Sequence, residues 1–311
     1  MSEYSKIIYL MGTKISLYFK GDDAERLVKK AEDMLLHYNE VFSANSDSSQ
    51  LALLNKTAAN VPQKVDDELY ELIKIGKQHS LGEDTALNIA IGPLIKLWRI
   101  GFQEAQVPDK EAILSVLELL KPENIKLNDS QKTVYFLTKG MEIDLGAIAK
   151  GYFADKVMEL FKKHGAVSAM VDLGGNVLVY GEAPSVAGDW KVGIQNPLLP
   201  RGNAAALVAI RNQSVVTSGI YERVLEQEGS KYHHIFNSKT GYPMESNIAS
   251  LTIIADSSLD CDIYTTKLFG FDATSIIRTV NRIHDMGAIV ITLDGALAYT
   301  NNLVGKITIC T

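Results

Sequence analysis

Cysteine is nearly absent from the chain. Cys261 and Cys310 are the only two in 311 residues, far apart and in no metal-ligand spacing, so there is little basis for a disulfide framework. Basic clusters are missing as well. A formal net charge of −6 and a pI near 5.6 argue against nucleic acid or an anionic membrane as the main partner. No apolar run is long enough to cross a bilayer. The opening Met1-Ser2-Glu3-Tyr4-Ser5-Lys6 carries neither a signal-peptide core nor a lipobox cysteine. The expected location is cytoplasmic, or extracytoplasmic if a leader has been trimmed away. No period of twenty to fifty residues repeats, and no low-complexity linker divides the chain. One domain over residues 1–311, with two intertwined lobes, is the expected organisation.

What is present is a globular pattern, 46% hydrophobic and 22% charged, in which strands outnumber helices and often follow one another directly. That order predicts an α+β fold with mixed or antiparallel sheets and packed helices, two lobes enclosing a ligand cleft. A hairpin is expected over residues 7–19, turning at Gly12-Thr13. Asp22 or Asp23 then caps a helix with an apolar stripe at Leu27, Val28, Ala31, Leu35 and Tyr38. A polar loop over residues 42–51 reads as a spacer. Helices follow at 67–79 and 109–120, separated by a break at 82–85 and an apolar piece over 86–98, whose Gly92-Pro93 opens a short helix. Trp98 reads as core, with a wall for a planar ligand as the alternative. Strands are expected near 125–127, 133–137, 167–173, 177–180, 190–194, 205–211, 214–217, 249–255, 288–292, 297–300 and 306–310. Helices are expected near 262–269 and 274–283.

Two stretches carry chemistry. Glu142-Ile143-Asp144-Leu145 begins as an apolar strand, turns at Gly146 and enters a helix bearing Lys150 and Tyr152. Free amides at a helix start favour phosphate, Asp144 can hold a donor or metal, and Lys150 can meet an oxyanion; a solvated strand–helix connection is the plain alternative. Further on, Asp262 and Thr266 lie one helical turn apart. A carboxylate and hydroxyl so spaced are hard-oxygen ligands suited to Mg²⁺, unless they are only polar residues in an ordinary helix start. His233-His234 lacks the further ligands that a zinc site needs.

These pieces stand in a shared order with others. Met11-Gly12-Thr13, Ser48–Asn55, Ile91-Gly92-Pro93-Leu94 and Asp144-Leu145-Gly146 come first. Leu173-Gly174-Gly175-Asn176, Thr217-Ser218-Gly219 with Tyr221-Glu222-Arg223, His234-Ile235 with Thr240-Gly241-Tyr242-Pro243, and Asp262 with Thr265-Thr266 follow. In that order the chain resembles the FAD:protein FMN transferases, the ApbE-like flavin transferases, over nearly its whole length. The resemblance implies Mg²⁺-dependent transfer of FMN from FAD to a Ser or Thr hydroxyl of a partner flavoprotein, releasing AMP. It also implies a metal held by Asp262, Thr266 and the main-chain oxygen of Ala147. Met11, Asn45, Ala86, Leu87, Asn88, Asp144, Lys150, His234 and Phe236 would line the FAD site, with His234 as candidate base and Asp144 as its alternative. Three positions depart from the family pattern. Asn45 stands where an aromatic usually covers the flavin, Asn88 where Asp is typical, and Phe236-Asn237-Ser238-Lys239 replaces an Ile-Asp-Pro-Arg run. An amide at position 45 opens the site to water, which keeps FAD pyrophosphatase as one alternative activity; non-catalytic FAD binding is another.

Overall fold

A computed structural model describes residues 1–82, 85–184 and 188–310. Strands β1 (Ser2–Leu10) and β2 (Thr13–Gly21) form the expected hairpin, with Leu10 opposite Thr13. The turn is Met11-Gly12 rather than Gly12-Thr13. Both residues have positive φ, 54° and 71°, as a two-residue turn with the strands' own twist requires. Helix α1 (Ala24–Phe42) buries the stripe read from the sequence, and Asp23 stands at its cap without a side-chain hydrogen bond to it. The polar loop beyond is shorter than expected, because α2 (Gln50–Thr57) begins inside the serine-rich run. Ser49 Oγ accepts the Ala52 N–H at 3.0 Å and so caps that helix.

Next come β3 (Gln63–Lys64) and α3 (Asp67–Ser80), the latter capped by the Asp66 carboxylate. Residues 83 and 84 of the expected break lie outside the described residues. Pro93 opens α4 (Gly92–Trp98), and Asp109 caps α5 (Lys110–Leu117), shorter than the 109–120 expected. Then follow β4 (Ile125–Asn128), β5 (Thr133–Phe136), α6 (Ala149–Lys163), β6 (Ser168–Leu173), β7 (Asn176–Gly181), β8 (Trp190–Gln195), β9 (Ala204–Ile210) and β10 (Ser214–Gly219). A hairpin that was not foreseen, β11 (Val224–Gln227) and β12 (Ser230–His233), precedes β13 (Ile248–Ala255). The chain ends through α7 (Ser258–Lys267), α8 (Ala273–Val280), β14 (Gly287–Thr292), β15 (Leu297–Tyr299) and β16 (Ile307–Ile309).

The fold is α+β, as expected, and among the described residues every strand pairing is antiparallel. Eight strands form one sheet in the order β1-β2-β6-β7-β10-β13-β14-β15. On its first half, Ile15, Leu17 and Phe19 of β2 pack with Leu35 and Tyr38 of α1 and with Phe153 and Phe161 of α6. The Tyr38 and Phe153 rings stack at 4.7 Å. On the second half, Leu251 and Ile253 of β13 and Val290 of β14 close over Phe269 and Ile276. All eight residues of β13 are buried, so that strand is mostly apolar throughout, broken only by Ser250 and Thr252, rather than alternating.

Helices α6 and α7 meet over the centre of the sheet as a closely packed pair that caps itself in both directions. Asp155 of α6 accepts the Ser258 and Leu259 N–H groups of α7, at 2.8 and 2.9 Å, and the Ser257 hydroxyl at 2.8 Å. In return the Asp262 carboxylate of α7 accepts the Gly151 N–H of α6 at 2.5 Å. The crossing is close because Gly151 has no side chain; a Cβ there would lie 2.3 Å from the Ser258 carbonyl oxygen. Gly151→Ala gains about 1 kcal/mol of helix propensity. It also forces overpacking against main chain, which costs about 1–3 kcal/mol. Net destabilisation and a lower urea midpoint are expected, and a midpoint at or above wild type would contradict this packing.

Candidate active site

Asp144 does not end a strand. Residues 141–145 run extended without a ladder partner, tied to the body by individual bonds. Asn55 grips Ile143 twice, Nδ2 donating to the carbonyl at 2.9 Å and Oδ1 accepting the N–H at 2.8 Å. The Asp144 N–H donates to the Ile89 carbonyl at 2.9 Å, and the Gly92 N–H to the Glu142 carbonyl at 3.2 Å. Gly92 permits that approach, since a Cβ would come within 2.8 Å of the Glu142 carbonyl oxygen. The Asp144 carboxylate folds back to accept the Gly146 N–H at 2.8 Å. Burial pushes its carboxyl above the usual range, against the pull of that N–H and of Arg223.

The chain then enters α6. Its first-turn Gly151 N–H is turned to Asp262, and among the described residues no main-chain N–H donates to the Ala147 carbonyl. Ala147 itself is exposed. Asp262 sits in the second turn of α7, which starts four residues earlier than expected, so it is no ordinary first-turn acid; that position belongs to Asp260. Asp262 is buried, 5% exposed, and burial raises its carboxyl to about 6 despite Lys150 and the Gly151 N–H. Thr266 lies one turn on and half-buried, while the neighbouring Thr265 hydroxyl is committed to the Asp262 carbonyl at 3.0 Å.

Lys150 is the electrostatic centre. Its charge acts on Asp262, on Asp172 and on His234, and among the described residues it forms no ion pair of its own. Asp172 accepts the Gly175 N–H at 2.8 Å at the end of β6, and burial raises it while Lys150 and Lys14 pull it down. His234 follows β12, its buried Nδ1 without a hydrogen-bond partner among the described residues. Burial, then the Arg223 charge, lower its ring to about 4. Arg223 is exposed and lies over Gly101, where a Cβ would stand 2.8 Å from its Cδ, and its charge reaches both Asp144 and His234.

The structure thus links Lys150 with Asp262 and His234, and Arg223 with His234 and Asp144, while Thr266 lies one turn from Asp262 and Ala147 three residues before Lys150. The remaining positions differ in what they can offer. Met11 is half-buried in the β1–β2 turn, and Asn45 is exposed with its N–H on the Ser43 hydroxyl at 3.3 Å. Ala86 reaches the end of α7 by an N–H bond to the Lys267 carbonyl at 3.3 Å. Leu87 is buried. The Asn88 amide is committed to protein, donating to the Leu120 carbonyl at 2.8 Å and accepting the Ala90 N–H at 2.9 Å. Phe236 is buried against Trp98 with ring centroids 5.7 Å apart. Trp98 is core: it is fully buried, and its indole N–H donates to the Gly241 carbonyl at 2.9 Å. Asn55, Asp155, Asp172 and Arg223 were not singled out from the sequence. Asn55 and Arg223 stood inside quoted motifs, but nothing local marked what they would touch.

The sequence matches the ApbE family over residues 11–290. The chain belongs to that family. It is 38% identical over 289 residues to a FAD:protein FMN transferase of Klebsiella pneumoniae, covering 93% of this chain and 89% of that one. It is also 38% identical over 283 residues to a FAD:protein FMN transferase of Treponema pallidum, with 86% and 78% covered. The crystal structure of the ApbE protein from Thermotoga maritima superposes with a TM-score of 0.89 at 25% identity, over 98% of this chain and 99% of that one. No helix among the described residues is long and apolar enough to cross a membrane.

The His234 environment sets a pH dependence. The fold keeps the ring neutral, so between about pH 6.5 and pH 4 the unfolded chain binds more protons than the folded one. Stability therefore falls as pH drops through that window. Urea midpoints for His234→Gln between pH 4.5 and 7.5 are expected to vary less with pH than wild type. An unchanged slope would contradict the burial assigned to this ring.

Proposed function

We propose that this ApbE-family chain, a single domain with the residue cluster described above as its flavin site, transfers FMN from FAD to a Ser or Thr hydroxyl of a partner flavoprotein. The acceptor oxygen forms a bond to the FMN phosphorus, the bond from that phosphorus to the AMP oxygen breaks, and AMP leaves. The observation that carries this reading is the convergence of Lys150, Asp262 and His234 at the start of α6. It is supported by relatives named as FAD:protein FMN transferases over most of the chain.

Phosphoryl chemistry asks the protein mainly to position the reactants and to neutralise charge. Lys150, without an ion pair among the described residues, is placed to meet a phosphate oxygen. Arg223 adds a second cation at the mouth, beside Asp144. His234, neutral at physiological pH, takes the acceptor hydroxyl's proton on a ring nitrogen. Its depressed basicity makes it a modest base, so nearby cations must do much of the work of acidifying the hydroxyl. Asp144 serves orientation in this reading, gripping a donor on the adenosine half.

The donor set suits Mg²⁺. Asp262, Thr266 and the Ala147 carbonyl are hard oxygens, and that carbonyl lacks a main-chain partner among the described residues. When bound there, the ion would neutralise diphosphate charge. Met11, Asn45, Ala86, Leu87, Asn88 and Phe236 complete the proposed FAD lining, with Asn88, Leu87 and Phe236 acting through main chain and shape.

A second reading, hydrolysis of FAD to FMN and AMP, is favoured by one observation. Asn45 is exposed and offers no ring to cover the isoalloxazine. Incubation with FAD and Mg²⁺ separates the two. AMP formed only with an acceptor, together with a covalently fluorescent partner, supports transfer; equal AMP without acceptor supports hydrolysis.

Asp262→Ala should lower turnover on the order of 100-fold or more, the scale of losing one preorganised charge contact. Wild-type activity over a range of Mg²⁺ concentrations would refute the role given to Asp262.

A further inference from the structure

Asn176 is the first residue of β7, directly after the Gly174-Gly175 turn, and it is fully buried. On the same face of that strand lies Leu178, part of the apolar core under α6. A primary amide at such a position needs its hydrogens and its oxygen accounted for. The oxygen is accounted for: Ser258 Oγ donates to Asn176 Oδ1 at 2.5 Å, and Ser214 Oγ donates in turn to Ser258 Oγ at 2.9 Å. The nitrogen is not. Asn176 Nδ2 is buried and, among the described residues, has no hydrogen-bond partner. It lies beside the Asp262 carboxyl and favours its charged form, yet falls outside hydrogen-bond geometry. Because the serine pair occupies the oxygen end, the amide is oriented with its N–H groups toward Asp262.

We propose that Asn176 is a positioning residue: its Nδ2 hydrogen, together with the Gly151 N–H, holds the Asp262 carboxylate in the orientation that leaves an oxygen to a divalent cation. The inference rests on the reading of Asp262 as a metal ligand and goes one residue beyond it. Two oxygens must serve three partners. The Gly151 N–H already takes Oδ2, and Asn176 Nδ2, acting on the same carboxyl, is the next donor to it. Partners that orient a ligating carboxylate change metal affinity when removed, by about 10- to 100-fold.

The test uses the full chain, with Mg²⁺ alone as probe and the thermal midpoint as readout. Wild type is expected to be stabilised by Mg²⁺ along a saturable curve, and Asp262→Ala to show no such response. Asn176→Ala should require about 10- to 100-fold more Mg²⁺ for half the shift. Its midpoint without metal reports separately any loss of packing. Asn176→Asp keeps the shape and the Ser258 bond, but it removes the N–H and sets a second carboxylate beside the first, so it too should bind Mg²⁺ more weakly. A normal Mg²⁺ curve for Asn176→Ala, with Asp262→Ala unresponsive, would overturn the inference and leave the metal reading intact. Asn176→Asp binding as well as wild type, or better, would also overturn it, because an oxygen rather than an N–H would then face the ion. Identical curves for wild type and Asp262→Ala would remove the metal reading and this inference together.

Discussion

The reciprocal capping of α6 and α7 is the contact on which the site depends. Each helix lends the other a carboxylate, Asp155 in one direction and Asp262 in the other. The two acids do different jobs. Asp155 accepts three main-chain and hydroxyl donors, satisfying amide groups that a helix start leaves without internal partners. Asp262 receives one N–H and keeps capacity to spare. A buried carboxylate with unused acceptor capacity is costly unless something else approaches it. Gly151 makes the arrangement possible, since only a residue without a side chain lets the backbones come near enough.

Burial shapes the reactivity of the groups around that contact. Asp144, Asp172 and Asp262 are all pushed toward the neutral acid by removal from water, and each is drawn back by a lysine or arginine at the site. His234 is pushed the other way, toward the neutral base, by burial and by the same cations. The cluster therefore holds acids and cations that need one another. Lys150 stands among three of these groups without pairing to any. Such a lysine can meet an incoming oxyanion without first breaking a salt bridge.

Much of this was legible in the residues. The strand alternation of β2, the stripe of α1 and the apolar run of β13 each follow from one-dimensional pattern, because burial on one or both faces leaves a periodic or continuous trace. The Asp262–Thr266 spacing and the helix entry at Lys150 were visible for the same reason. What escaped was set by partners distant in sequence. Asn55 touches residue 143, and Asp155 touches α7, across gaps of 88 and about 100 residues. No local signal separates those side chains from ordinary polar residues on a helix. The start of α7 was misjudged because Ser257-Ser258 reads as loop, whereas Ser257 is the cap. Helix α2 was hidden in the same way behind Ser48 and Ser49. The extended piece at 141–145 looked like a strand since its apolar residues are buried, but side-chain and loop groups, not a neighbouring strand, satisfy its amides.

The sheet order has a consequence for how the protein comes into being. Strand β7 lies beside β10, β10 beside β13, and α7 follows β13, so α6 is made well before the helix that completes it. While the ribosome is still adding the last third of the polypeptide, Gly151 and Asp155 have no counterpart. Competence for chemistry is therefore acquired late in translation. A nascent chain can shelter its first apolar layer early, yet Lys150 and Asp262 come together only once α7 has docked.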